Sequence, residues 1–96
     1  MKINHNGKRY DTAKCTILGE SDLYSYSNNY AGTCYLGIAS DGQYIQWQDT
    51  NGQDCYITDD ISILTRSEAV DLINSMDQDD DQVAAAIKCG LIEVID

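Results

Sequence analysis

Two Asx-Gly turns between alternating apolar segments constrain this chain more than any other part of its sequence. Asp41-Gly42 and Asn51-Gly52 are dipeptides that favour tight hairpin turns. They separate the segments 33–39, 43–49 and 54–57, in which Tyr, Trp, Leu and Ile alternate with small or polar residues. Because alternation with a period of two is typical of half-buried strands, the sequence predicts an antiparallel β-meander at the centre of the chain.

The N-terminal third predicts further strands. Asn6-Gly7 is a type I′ turn signal within a short hairpin over residues 2–11. Residues 12–18 favour either a second pairing strand or an extension of the first. Residues 20–32 have no clear period, so they are either a functional loop or a wandering edge strand. The aromatic residues of this segment are Tyr24, Tyr26 and Tyr30.

Two short helices are predicted after the sheet. A short apolar segment, 61–64, leads to Thr65 and Glu68, whose spacing predicts a capping box at the start of a helix that runs to about Met76. A second helix is expected from about Asp80 to Lys88. Gly90 is expected to end it, and the apolar tail 91–95 is expected to form a closing strand.

This order of elements predicts an α+β fold in a single domain, residues 1–96. Residues 1–64 should form mainly an antiparallel sheet of four to six strands, residues 65–89 the two helices packed beside it, and residues 91–95 the closing strand.

The net charge of −10 is confined to one half of the chain. Residues 1–48 contain four basic and four acidic residues, whereas residues 49–96 contain two basic and twelve acidic residues. Such a field repels nucleic acid and anionic membranes and attracts basic partners. The same acidity also favours solubility, so charge alone does not distinguish a binding surface from a solvated one.

The densest acidic stretch is the joint between the two helices, Asp77-Gln78-Asp79-Asp80-Asp81-Gln82. One aspartate is enough to cap the second helix, which leaves at least two carboxylates that capping does not explain. Asp77, Asp79 and Asp81 have the spacing of the first calcium ligands in an EF-hand. However, Gln82 replaces the required Gly and Lys88 the required Glu. The sequence predicts neither a metal site nor a cofactor.

No combination of residues predicts catalysis or direct binding of nucleic acid. His5 is the only imidazole and lies in the N-terminal hairpin, and Asp59-Asp60 would point to opposite faces of a strand. The basic residues are few and are balanced by acids. We therefore expect a protein that is not an enzyme and binds neither nucleic acid nor membranes directly.

The four cysteines predict free thiols. Cys15, Cys34, Cys55 and Cys89 include no close pair of the kind that zinc sites use. The N-terminus has no apolar signal region. We therefore expect a reducing, cytoplasmic environment.

Two short motifs resemble a group of small uncharacterised proteins of bacteria, their phages and mobile elements. The first is Gly7-Lys8-Arg9-Tyr10-Asp11-Thr12-Ala13, which is followed by Leu18-Gly19-Glu20 and the tyrosine-rich segment. The second is Ile63-Leu64-Thr65-Arg66-Ser67-Glu68-Ala69. The resemblance spans residues 7–75 and implies a β-meander with a C-terminal helix. The acidic joint and the second helix depart from the pattern of the group.

In size, acidity and lack of catalytic residues, the chain is also similar to phage anti-CRISPR proteins and other DNA-mimic inhibitors. This likeness implies carboxylates placed where phosphates would lie. It also implies a basic, nucleic-acid-binding partner in the bacterial cytoplasm, such as a CRISPR effector complex.

The sequence-based hypothesis is therefore an acidic, non-catalytic inhibitor that blocks the nucleic-acid-binding surface of a host protein. Its expected contact residues are Asp59, Asp60, Asp71, Asp77, Asp79, Asp80 and Asp81, together with Tyr24, Tyr26 and Tyr30. The alternative is an interaction module that uses the tyrosine segment without mimicking nucleic acid. A weak metal binder at the joint is a third possibility.

Overall fold

The computed structural model describes residues 1–24, 30–50 and 60–95, which form two antiparallel sheets and two C-terminal helices. The elements are β1 (Lys2–His5), β2 (Lys8–Asp11), β3 (Thr16–Tyr24), β4 (Tyr30–Ile38), β5 (Tyr44–Asp49), β6 (Asp60–Leu64), α1 (Arg66–Ile73) and α2 (Asp80–Lys88). Strands β1 and β2 pair with each other, and the main sheet has the order β3-β4-β5-β6. The predicted α+β fold is confirmed.

The N-terminal hairpin forms as the sequence predicts. Asn6 and Gly7 have φ angles of 50° and 75°, as a type I′ turn requires. The predicted strand over 12–18 is wrong in its first half. Thr12–Lys14 is a 3-10 helix, because the Asp11 side chain accepts a hydrogen bond from the Ala13 amide and caps it.

The main sheet is a meander in which each strand pairs with the next in sequence. Residues 20–32, for which a loop or an edge strand was predicted, supply the end of β3 and the start of β4, and the predicted central strands correspond to β4 and β5. Leu18 is an extra residue in β3 and forms a bulge, so that both Leu18 and Gly19 are buried beneath the helices. The predicted strand 54–57 lies outside the described residues.

Each face of the main sheet packs against a different layer. Eight buried residues form the core beneath the helices: Leu18, Leu36, Tyr44, Leu64, Ala69, Ile73, Ala86 and Leu91. On the opposite face, Tyr10 of β2 packs against Ile45 and Trp47. The Tyr35 ring stacks on Trp47 with ring centroids 5.5 Å apart. The hairpin, the sheet and the helices therefore make three layers.

The C-terminal segment corrects one prediction. Gly90 has a φ of 85°, and the Leu91 amide donates to the Ala86 carbonyl at 2.9 Å, which closes α2 with a Schellman motif. This turn buries Leu91 in the core and leaves Val94 and Ile95 exposed. The predicted closing strand 91–95 is therefore wrong, because the helix ending directs its first residue into the helical layer.

The β3–β4 hairpin provides a stability test. Gly32 has a φ of 149°, and a Cβ there would overlap the backbone carbonyl oxygen of Asp49. Gly42 also has a positive φ, of 93°, but has no neighbour within 4 Å of that Cβ position. We expect Gly42→Ala to cost about 1 kcal/mol from backbone strain alone, and Gly32→Ala to cost about 3 kcal/mol or more. Urea unfolding measures both, and equal costs would contradict the close approach at Gly32.

Candidate functional site

The joint between α1 and α2 is fixed to the outer edge of β3. The Asp77 amide donates to the Glu20 carbonyl at 2.8 Å, and the Glu20 amide donates to the Asp77 carbonyl at 3.0 Å. These two bonds form an isolated antiparallel bridge. The Gln78 side chain adds a third bond, to the Leu18 carbonyl at 2.8 Å. The acidic joint is therefore held in one position against the sheet.

Asp79 has a structural role at the start of α2. Its carboxylate accepts a hydrogen bond from the Gln82 amide at 2.8 Å, and the Gln82 side chain accepts one from the Asp79 amide at 3.0 Å. Asp80 and Asp81 follow in the first helical turn and are exposed. The helix dipole favours their charge there, but they provide no cap. Both remain available to a partner.

Two further carboxylates, from β3, extend this acidic surface. Glu20 approaches the joint directly, since its carboxylate accepts a hydrogen bond from the side-chain Nε2 of Gln82 at 3.4 Å. Asp22 lies two residues further along β3, on the same face as Glu20, and is exposed. We call these residues together the acidic edge: Glu20, Asp22, Asp77, Asp79, Asp80 and Asp81.

Sequence reasoning missed the β3 members of the acidic edge. They occur in a half of the chain with no net charge, in a segment whose period was not recognised. The alternation of Glu20, Asp22 and Tyr24 with Ser21 and Leu23 was the signal that could have found them.

Exposed tyrosines continue the same face beyond the acids. Tyr24 and Tyr30 are directly opposite each other in the β3–β4 pair, and their exposed fractions are 58% and 53%. The Tyr30 hydroxyl is hydrogen-bonded to the Thr33 hydroxyl at 2.6 Å, and Thr33 is the cross-strand partner of Asp22. We call Tyr24 and Tyr30 the tyrosine pair. Tyr26 lies outside the described residues.

The structure does not bring all of the predicted contact residues together. Asp60 begins β6, at the opposite edge of the sheet from β3, about 14 Å away at the usual strand spacing. Asp71 lies on α1 beside a groove lined by Gln46 and Leu64, whereas α2 packs against β3. Asp59 lies outside the described residues. Asp60 and Asp71 are therefore separate from the acidic edge.

Asp41 anchors the N-terminal hairpin to the turn between β4 and β5. Its carboxylate accepts hydrogen bonds from the Tyr10 hydroxyl at 2.7 Å and the Gln43 amide at 3.1 Å. It also accepts one from the Lys8 ammonium, at 3.1 Å. These bonds, that from Tyr10 above all, lower the pKa of Asp41 to about 2. Asp41 is thus committed to holding the hairpin.

The basic residues gather around this same turn, away from the acidic edge. Lys8 and Arg66 line one cleft beside Asp41, Arg9 and Lys14 line a second beside Ser40, and Lys88 lines a third beside Ser40. Lys2, the remaining cation of the chain, lies opposite Asp11 in the strand register of the N-terminal hairpin. The described part of the molecule is therefore electrically polarised.

The described residues include neither a cluster that could hold a metal ion nor a helix that could span a membrane. Over residues 1–24, 30–50 and 60–95, no three His, Cys, Asp or Glu side chains are grouped so as to hold a metal ion. Cys15, Cys34 and Cys89 are free thiols, and burial, the largest cause, raises the pKa of Cys15. None of the described helices is long and apolar enough to cross a membrane.

Comparisons with protein-family models, curated proteins and solved structures found no match. The motif at residues 7–13, which carries the resemblance to small bacterial and phage proteins, has structural roles in this fold. Gly7 forms the hairpin turn, Tyr10 binds Asp41, and Asp11 caps the 3-10 helix. The acidic edge and the tyrosine pair are therefore the surfaces of this molecule that remain for binding a partner.

The aspartate that caps α2 and the aspartates that do not should differ in their effect on the free energy of unfolding. Asp79→Ala removes the helix cap, and we expect it to lower the free energy of unfolding by about 1 kcal/mol. Asp81→Ala removes the same charge without a cap and should change stability by less than about 0.5 kcal/mol. Thermal and urea unfolding measure both, and an equal loss in the two variants would contradict the assignment of Asp79 as the cap.

The Asp41 anchor predicts a pH dependence. Because the pKa of Asp41 is lower in the folded protein than in an unfolded chain, its ionised form stabilises the fold above about pH 4. That stabilisation is lost as the pH falls through about 2. Asp41→Asn should therefore be less stable than the wild type at pH 7, with a difference that shrinks between pH 4 and 2. Denaturant unfolding at these pH values measures it, and a constant difference would be inconsistent with the anchor.

Proposed function

We propose that this protein is a non-catalytic, acidic binder that blocks the basic nucleic-acid-binding surface of a host protein, in the manner of an anti-CRISPR inhibitor. The acidic edge is the contact surface. The partner is a basic protein of the bacterial cytoplasm, such as a CRISPR effector complex.

Segregation of charge carries this proposal. Glu20 and Asp22 on β3 adjoin four aspartates of the joint, whereas five of the six Lys and Arg residues border the β4–β5 turn. Solubility alone does not require acidic residues to be separated from basic residues on the surface. A surface of one sign attracts a partner of the other and orients its approach.

The rigidity of the acidic edge supports mimicry of phosphates. Its carboxylates lie on a strand, on a capped helix or on a joint held by two main-chain bonds. Preorganised groups lose little conformational entropy on binding. Carboxylates held at fixed positions can therefore replace phosphates against the Lys and Arg side chains of a nucleic-acid groove.

A second candidate function follows from the tyrosine pair. Two exposed tyrosines directly opposite each other on a sheet are a preferred kind of protein contact, since tyrosine provides a large surface at a small entropy cost. In this alternative the protein is an interaction module that contacts its partner mainly through Tyr24 and Tyr30, and the acids serve solubility.

Capture from a bacterial lysate, followed by competition, tests the proposed function. We expect the wild type to capture a nucleic-acid-binding protein that duplex DNA or RNA displaces. Its affinity should fall at least about tenfold between roughly 50 and 200 mM salt. Asp80→Asn with Asp81→Asn should weaken capture at least about tenfold, because these residues belong to the acidic edge and do not cap the helix.

Asp60→Asn with Asp71→Asn is the matched control, since it removes the same charge from another part of the surface. It should weaken capture much less. Equal losses in the two double variants, or capture that neither salt nor DNA affects, would refute the mimic. Loss of capture in Tyr24→Ala with Tyr30→Ala alone would establish the tyrosine module in its place.

A further inference from the structure

Beyond the point where the joint contacts it, the outer edge of β3 is not paired with any described strand. In an antiparallel sheet, the main-chain groups of every second residue point away from the paired strand. Those of Glu20 point outward to Asp77, and the register with β4 continues unbroken from Glu20 through Asp22. The amide and carbonyl of Asp22 therefore also point outward, where no described residue bonds to them.

The open edge carries side chains of a definite character. Glu20, Asp22 and Tyr24 alternate along one face of β3, and both Asp22 and Tyr24 are exposed. Tyr30 adds a second exposed ring beside Tyr24. A strand added at this edge would place every second side chain beside two carboxylates and a pair of tyrosine rings.

We propose that the edge of β3 from Asp22 onward binds an extended, basic segment of the partner protein by β-strand addition. The segment bonds the outward amide and carbonyl of Asp22. Its Lys or Arg side chains lie beside Glu20 and Asp22, and their aliphatic portions pack on the tyrosine pair. The inference rests on the proposed function, because it specifies which part of a basic partner the acidic edge takes.

Asp77 already uses this edge in the same way. It forms an antiparallel two-bond bridge with Glu20. The residues before Asp77 come from the end of α1, where the Ser75 amide donates to the Leu72 carbonyl, so no described residue bonds to the next outward position, at Asp22. An added segment would continue the row of main-chain bonds that Asp77 begins. Exposed edges of this kind bind extended chains readily.

Charge selects a basic segment rather than a second copy of this chain. Antiparallel pairing of two copies about Asp22 would place the two Asp22 side chains directly opposite each other, and like charges in that position are destabilising. Each copy also carries a net charge of −10. A segment with Lys or Arg at alternate positions meets neither obstacle.

Three peptides of identical charge test the proposal. The probe is a fluorescent eight-residue peptide in which Lys and Val alternate. In an antiparallel pair, the peptide residue directly opposite Asp22 has its side chain on the same face as Asp22 and its amide directed toward β3. The peptide is expected to place Lys at this position. N-methylation of the Lys amides should therefore lower affinity at least about tenfold, since the bond that the Lys amide donates to the Asp22 carbonyl is lost and the methyl group obstructs the approach of the two strands. N-methylation of the Val amides, which point to solvent, should change it less than about threefold.

Amide hydrogen exchange and a proline variant supply independent measurements. Saturating peptide should slow exchange of the Asp22 amide at least about tenfold relative to the free protein. Asp22→Pro removes that amide at an edge position where proline is tolerated. It should weaken binding well beyond its charge-matched control, Asp22→Asn. Circular dichroism and thermal unfolding verify that both variants are folded.

The outcomes separate this inference from the proposed function. Equal affinity for the two methylated peptides, unchanged exchange at Asp22, or no binding of the unmethylated peptide would overturn strand addition. If capture of the partner from the lysate still falls in Asp80→Asn with Asp81→Asn, the acidic edge survives as a purely electrostatic surface. Dimerisation that protects the Asp22 amide without peptide would make a second copy the occupant, which also overturns the proposal.

Discussion

The antiparallel bridge between Asp77 and Glu20 is the contact on which the functional surface depends. It ties the joint between the helices to the outer edge of β3 with two main-chain hydrogen bonds, and the bond from Gln78 to Leu18 fixes the approach. Without this contact, the aspartates of the joint would belong to a connection between helices. With it, they lie beside the strand that carries Glu20 and Asp22.

The two ends of the molecule use their charges differently. At the β4–β5 turn, Asp41 is satisfied by Tyr10, Gln43 and Lys8, and its lowered pKa reflects those bonds. At the acidic edge, Asp79 is satisfied as a cap, whereas Asp80 and Asp81 remain exposed. The Asp41 carboxylate is thus bonded within the molecule, where it anchors the hairpin, whereas the carboxylates of Asp80 and Asp81 face solvent. That contrast is the physical basis for assigning binding to the edge.

The sequence predicted the elements with local signals and failed where tertiary contacts decide. The Asx-Gly turn at Asp41-Gly42, the capping box at Thr65 and the start of α2 at Asp80 depend on near neighbours, and all three are present. The predicted turn at Asn51-Gly52 lies outside the described residues. The apolar tail 91–95 has the composition of a strand, but Leu91 is buried in the core beneath the helices and Val94 and Ile95 are exposed. The acidic edge could not be predicted, because its members come from β3 and from a joint more than fifty residues away in sequence.

Mapping amide chemical shifts during titration with a lysine-rich peptide tests the central claim most directly. If the acidic edge is the binding surface, the largest shifts should occur at Glu20, Asp22, Asp80 and Asp81, and they should disappear as salt is raised. Shifts centred instead on Asp60 and Asp71, or spread evenly over all exposed carboxylates, would contradict the account.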